Sequence, residues 1–201
     1  MNVYLDGEFG FGLPLTEAAR LHKGQFLSDA EIAALQERDT AESAHERALR
    51  FLSYRPRSAE EVRRNLRDHD TPAWAVDEVL ARLERTGLVD DAAFARFWIA
   101  NRQQFRPRSP KALRYELRQK GVATDVIEAA LAGLDAETLA YDAARKRLKR
   151  LQDAAPDTFR RKMGDYLTRQ GFAYSLVRDI VENLLAERET VQAREGADSD
   201  L

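Results

Sequence analysis

An all-α fold of three tandem three-helix repeats, forming an elongated curved body with a small N-terminal hairpin-plus-helix extension, is predicted by three observations. The string Arg55-Pro56-Arg57-Ser58 recurs letter for letter as Arg106-Pro107-Arg108-Ser109. Aliphatic residues recur with it at helical spacing. Basic and acidic stretches alternate with a similar period. A fixed period of this size is the mark of a repeat architecture.

The two strings are offset by 51 residues, and each follows an aromatic, Tyr54 or Phe105. That offset carries Val62, Leu66, Val76 and Leu80 onto Leu113, Leu117, Ile127 and Leu131, and a further 50 residues reaches Met163, Leu167, Val177 and Val181. The four-residue steps within each set place one apolar stripe on each helix. In the third copy the string has become Ala155-Pro156-Asp157-Thr158. Gly121 meets Gly171, but its partner in the first copy is Asp70, so that turn of the first repeat is expected to differ in shape.

Taken in chain order, Tyr4-Leu5-Asp6-Gly7-Glu8-Phe9 sets an Asp-Gly turn between short β-prone runs and predicts a hairpin through Leu13. Two short helices follow, at 16–22 and 29–37, the second opened by the capping box Ser28-Asp-Ala-Glu31. Helices of the repeats are predicted at 42–54, 58–69, 72–86, 91–104, 109–120, 124–133, 136–153, 157–169 and 173–188. Ser58-Ala-Glu-Glu61 is a second capping box. Thr71-Pro72 and Ser109-Pro110 each put a hydroxyl cap before a first-turn proline. Gly87 ends a helix and Asp90 or Asp91 caps the next. The domains expected are the extension at 1–41, repeats at 42–90, 91–135 and 136–189, and a polar, disordered tail at 190–201.

Composition narrows the function. Forty-four per cent of residues are apolar, enough for a core, and no apolar run approaches a membrane span. The start lacks a signal-peptide pattern and there is no cysteine, which together place the chain in the cytoplasm. His22, His45 and His69 are far apart, and no phosphate-binding glycine loop, metal-ligand spacing or nucleophile-base pair is present. A non-enzymatic protein without cofactor or metal is expected, with Asp68-His69-Asp70 a solvated turn.

The net charge of −2 hides its layout. Residues 47–67 hold seven basic and two acidic side chains, 96–120 hold eight and one, and 145–169 hold nine and three, with acidic stretches between them. If the repeats stack in similar orientations, these blocks line one side as a cationic track. Lys111, Arg114 and Arg118 share one helix face, and a guanidinium there can grip phosphate or carboxylate. The helical spacing of Trp74, Phe94, Phe97 and Trp98 assigns them to the core, and Tyr54 and Phe105 are expected to plug helix joints.

Three groups of residues stand out in order: Ala48-Leu49-Arg50-Phe51-Leu52 with Arg55-Pro56-Arg57-Ser58 and Glu61; Gly87-Leu88-Val89-Asp90-Asp91 with Phe94-Ala95, Trp98 and Arg102; and Leu113-Arg114-Tyr115-Glu116-Leu117-Arg118-Gln119-Lys120-Gly121. In these the sequence resembles the RecX family of regulatory proteins over residues 42–187. Leu5-Asp6-Gly7-Glu8-Phe9 and Leu21-His22-Lys23-Gly24-Gln25 look like the extension that some members carry. The resemblance implies a cytoplasmic protein of recombination, DNA repair and the SOS response, and a monomer is expected. It would bind the RecA filament on single-stranded DNA and inhibit ATP hydrolysis and strand exchange. A pI near 6.0 departs from the basic character of many members.

The partner-binding or DNA-binding residues expected on this basis are Arg50, Arg55, Arg57, Arg63 and Arg64 in the first block. In the second they are Arg102, Arg106, Arg108, Lys111, Arg114, Arg118 and Lys120, and in the third Arg147, Arg150 and Arg161. Two other readings compete. One is a direct DNA-binding transcriptional regulator with helix-turn-helix-like units. The other is a helical scaffold that binds only protein.

Overall fold

The structure is a computed structural model that describes residues 1–13 and 15–198, without the side chains of residues 15–16 and 191–198. It divides into two compact units, Met1–Phe94 and Ala95–Leu201, each taken by itself below.

The first unit opens with strands β1 (Asn2–Leu5) and β2 (Glu8–Gly12), paired antiparallel across Asp6 and Gly7. Both turn residues have positive φ, 50° and 92°, the conformation that a two-residue hairpin requires. Phe11 and Leu13 of the hairpin are buried with Ala18 of α1 (Leu15–Ala18), packed by Ile32 and Leu35 of the following helix.

That helix, α2 (Asp29–Leu52), runs unbroken for 24 residues from the Ser28 capping box. It replaces the two separate helices expected at 29–37 and 42–54. The reason is local: Glu37-Arg38-Asp39-Thr40-Ala41 holds neither glycine nor proline, so nothing ends the hydrogen-bond ladder. With α3 (Ala59–Arg67) and α4 (Ala73–Arg85), α2 encloses a core of Ala44, Ala48, Val62, Leu66, Val76, Val79, Leu80, Leu83 and Val89.

The second unit contains α6 (Pro110–Gln119), α7 (Thr124–Leu131), α8 (Ala136–Leu148), α9 (Pro156–Arg169) and α10 (Tyr174–Asp198); α5 (Asp91–Phe105) starts just before it. Helix α8 stops at Leu148 rather than 153, because Pro156 disfavours helix before it. The Arg188 guanidinium takes the freed carbonyls of Gln152 and Ala154. Helix α10 carries on to Asp198, where a disordered tail was expected, since 186–195 contain only helix-compatible residues. Residues 199–201 of that expected tail lie outside the described residues. No described helix is long and apolar enough to cross a membrane.

All twelve aliphatic positions that define the repeat are buried, at 6% exposure or less. Burying such a side chain is worth roughly 1.5–3 kcal/mol, so the apolar stripe fixes the rotation of each helix. The turn after the second helix is also the same in every repeat. Thr71, Val122 and Phe172 each donate a backbone N–H to the carbonyl five residues back, on Leu66, Leu117 and Leu167. Asp70, Gly121 and Gly171 donate to the carbonyl three back, with φ of 57°, 77° and 91°. This is the Schellman closure. Asp70 therefore takes the shape of its glycine counterparts, correcting the expectation of a different turn; aspartate is among the few side chains that tolerate this region.

Three local expectations also change. Pro72 itself sits at the N-cap of α4, which has no side-chain cap bond, so Thr71 does not cap it. Trp74 and Phe97 are 44% and 38% exposed, leaving Phe94, with Ala95 and Ile99, as the buried face of α5. Tyr54 and Phe105, expected as plugs, are 79% and 67% exposed.

Candidate functional site

The cationic side chains sort into those tied to the fold and those facing outward. In the first unit, Arg55 makes a bidentate pair with Glu61, at 2.9 and 3.1 Å. Glu61 also completes the Ser58 capping box. The Arg57 guanidinium lies over the Phe51 ring, 3.9 Å from its centroid. Burial, with Arg55 nearby, lowers the pKa of Arg57. Arg63 pairs with Glu60 at 3.1 Å, while Arg50 and Arg64 are exposed. Neighbouring Asp91 accepts from the Ala59 N–H, and burial raises its pKa.

In the second unit Glu116 is a hub. It accepts from the Trp98 indole at 2.8 Å and from Arg102 Nε at 2.6 Å. Its other oxygen lies 3.2 Å from Arg108 Nε, without the alignment of a hydrogen bond. Arg102 stacks on the Trp98 ring at 4.2 Å and the Lys120 ammonium lies 5.0 Å from it. Trp98 is thus a partly buried rack for cations rather than core. Arg114 is clamped by Glu128 at 2.6 and 2.7 Å, which raises the pKa of Arg114 and lowers that of Glu128. Arg106, Lys111 and Arg118 are exposed.

Within this unit the second and third basic blocks meet. Arg108 donates to the Arg169 carbonyl at 2.9 Å, and the Ser109 N–H donates to the Gln170 carbonyl at 3.0 Å. Lys146, which the sequence did not single out, donates to the carbonyls of Gln103 and Gln104 at the end of α5. Arg147 lies 5.6 Å from the Tyr166 ring centroid. Burial raises the Tyr166 pKa, and the charges of Arg147, Arg108 and Arg150 pull it down. Arg150 and Arg161 are exposed.

Of the expected binding residues, Arg55, Arg57, Arg63, Arg102, Arg108, Arg114, Lys120 and Arg147 make local contacts. Arg50, Arg64, Arg106, Lys111, Arg118, Arg150 and Arg161 face solvent and hold no ion pair among the described residues. Two exposed residues outside the expected binding set also stand among these cations: Tyr115, 66% exposed between Lys111 and Arg118 on α6, and Arg169 beside Arg108. The spacing of Tyr115 from both cations was a usable signal; that of Arg169, 61 residues from Arg108, was not. No group of three or more histidine or acidic side chains among the described residues could hold a metal ion.

Three-helix units that bury one stripe each and carry cations on their outer faces define a helical-repeat protein with a cationic surface. Family models agree with this division. The first, second and third three-helix domains of RecX match residues 44–83, 90–131 and 135–181. The chain belongs to the RecX family, whose members are regulatory proteins. It is 34% identical to the regulatory protein RecX of Lactobacillus delbrueckii subsp. bulgaricus, over 96% of this chain and 73% of that protein. It is 33% identical to that of Streptomyces coelicolor, over 75% and 81%. A crystal structure of regulatory protein RecX superposes with a TM-score of 0.69 at 30% identity, covering 90% of this chain and 94% of the other. That of RecX from Lactobacillus salivarius gives 0.60 at 23% identity over 73% and 97%, a likeness of fold.

Proposed function

We propose that the protein binds the RecA filament assembled on single-stranded DNA and inhibits its ATP hydrolysis and strand exchange, modulating recombination and DNA repair. It acts as a cytoplasmic monomer without catalysis. The observation that carries this reading is the outward set of Arg50, Arg64, Arg106, Lys111, Arg118, Arg150 and Arg161, which make no ion pair among the described residues. These cations stay open although the chain has 34 acidic residues to 32 basic ones, and among them Arg118 acts on a nearby carboxylate, that of Glu128. Cations left open in such a chain suit a polyanionic partner. Helix α6 presents Lys111 and Arg118 on one side of the helix, with Arg106 just before it.

The test is ATP hydrolysis by RecA on single-stranded DNA with and without the protein. Inhibition is expected, and its loss in an Arg106→Glu, Lys111→Glu, Arg118→Glu variant with unchanged helical circular dichroism. No inhibition at saturating protein overturns the reading. If about five phosphates are engaged, log affinity falls with log salt at a slope near ~3.5, from ~0.7 per phosphate.

A further inference from the structure

We propose that Phe105 in one unit and Tyr54 in the other are platforms on which bases of single-stranded nucleic acid stack, while arginines beside each ring hold the flanking phosphates. This rests on the strand-associated reading above and names the residues that would touch the strand.

An aromatic ring left in water forgoes roughly 1.5–3 kcal/mol of burial. Here an aromatic is left out twice at one repeat position, 51 residues apart, with 79% of Tyr54 and 67% of Phe105 exposed. The aliphatic residues that define the same repeat are all buried. Both rings stand largely in solvent at matching positions of successive repeats, and it is this recurrence that points to a shared use.

Phe105 lines an open cleft of about 550 Å³ with Arg106, Arg108, Tyr166, Arg169 and Gln170, and no acidic residue among the described ones lines it. Behind Tyr166 stands Arg147, and the charges of Arg147, Arg108 and Arg150 reach its hydroxyl. Glu116 offsets part of the charge on Arg108, but Arg106 and Arg169 stay exposed beside it, and an anion seated between these like charges relieves their repulsion. A carboxylate would do this too, but it leaves the flat face of Phe105 without a partner. A nucleotide uses both: phosphate oxygen on guanidinium, base on ring. The cleft beside Tyr54, about 420 Å³, repeats the pairing with Arg47, Arg50, Asn65 and His69, one acid, Glu46, also lining it.

Binding of the full chain to an oligothymidylate and to an abasic strand of equal length, at low salt, tests the platforms. Wild type is expected to bind the oligothymidylate about a hundredfold more tightly than the abasic strand, about tenfold for each of two stacked bases. Phe105→Ala, at an exposed position and checked by circular dichroism, is expected to lose about tenfold of that preference while keeping its affinity for the abasic strand; Phe105→Trp is expected to retain it. Tyr54→Ala is expected to behave as Phe105→Ala does. The proposal is overturned by a wild type that binds no strand or does not prefer bases, by a Phe105→Ala variant that keeps the preference, or by polyglutamate competing as well as the strand. RecA ATP hydrolysis measured in parallel separates the two claims. Inhibition intact in a protein that fails the base test removes the platforms and leaves the filament reading; no inhibition by one that passes it does the reverse.

Discussion

The first and second repeats carry the same Arg-Pro-Arg-Ser string, yet its arginines have different neighbours. Arg55 is locked onto Glu61, while its counterpart Arg106 is exposed and holds no ion pair among the described residues. Arg57 rests on the Phe51 ring, while Arg108 sits beside Glu116 and donates to the Arg169 carbonyl. The cause lies outside the string. At the same repeat offset Glu61 becomes Ala112, Phe51 becomes Arg102 and Asn65 becomes Glu116. An identical tetrapeptide thus serves the fold in one repeat and is partly released in the next, according to what three other positions supply.

The largest expected effect breaks the second repeat's version of the string. A Cβ on Gly171 would come within 2.8 Å of Ser109 Oγ and 3.0 Å of the Ala112 Cβ, at a φ of +91°. Gly171→Ala should therefore cost about 2–4 kcal/mol, read as a lower urea midpoint, from backbone strain plus the clash. Removing the hub comes next. Glu116→Ala leaves Arg102 and the Trp98 indole without their acceptor and should cost about 2 kcal/mol, since the carboxylate is only partly buried.

Glu61→Ala makes the first repeat more like the second. It should cost about 1 kcal/mol through the lost capping box, and free Arg55 to raise the salt slope of strand binding by up to ~0.7. Unchanged salt dependence would show that releasing Arg55 adds no phosphate contact. A smaller effect comes from Asp70→Gly, which should stabilise by about 0.5 kcal/mol by removing the left-handed penalty that the later repeats avoid with glycine.

The smallest effect separates the units by pH. Burial, then Arg82, lowers the pKa of His45, so the folded first unit resists its protonation. Below the unfolded value near 6.5 the unfolded chain binds more protons, so stability falls as pH drops through that value toward the folded pKa. Wild type should lose more of its urea midpoint between pH 7 and 5.5 than His45→Gln does. Equal losses would remove His45 from the pH response.

The repeat register was readable because it rests on side chains that face inward in every copy, and Val62, Leu113 and Met163 could be aligned without coordinates. The caps at Ser28, Ser58 and Ser109 were readable for the same reason: their partners lie three residues away. The state of each arginine was not. Arg114 finds Glu128 fourteen residues on, and Arg108 finds a carbonyl sixty-one residues on, distances at which only folded packing decides. Tyr54 and Phe105 were misplaced because helical spacing says which side a ring is on, and these two stand at or just past the ends of helices, where the stripe no longer applies.

The unbroken α2 gives the hairpin a mechanical role. At 1.5 Å per residue its 24 residues make a rod of about 36 Å, with the hairpin packed near one end and Arg50 at the other. A glycine pair placed near Thr40 would turn this shaft into a joint. Whatever grips the hairpin, whether a fused tag or a neighbouring molecule, therefore pulls directly on the helix end that carries Arg47 and Arg50, with no slack between them.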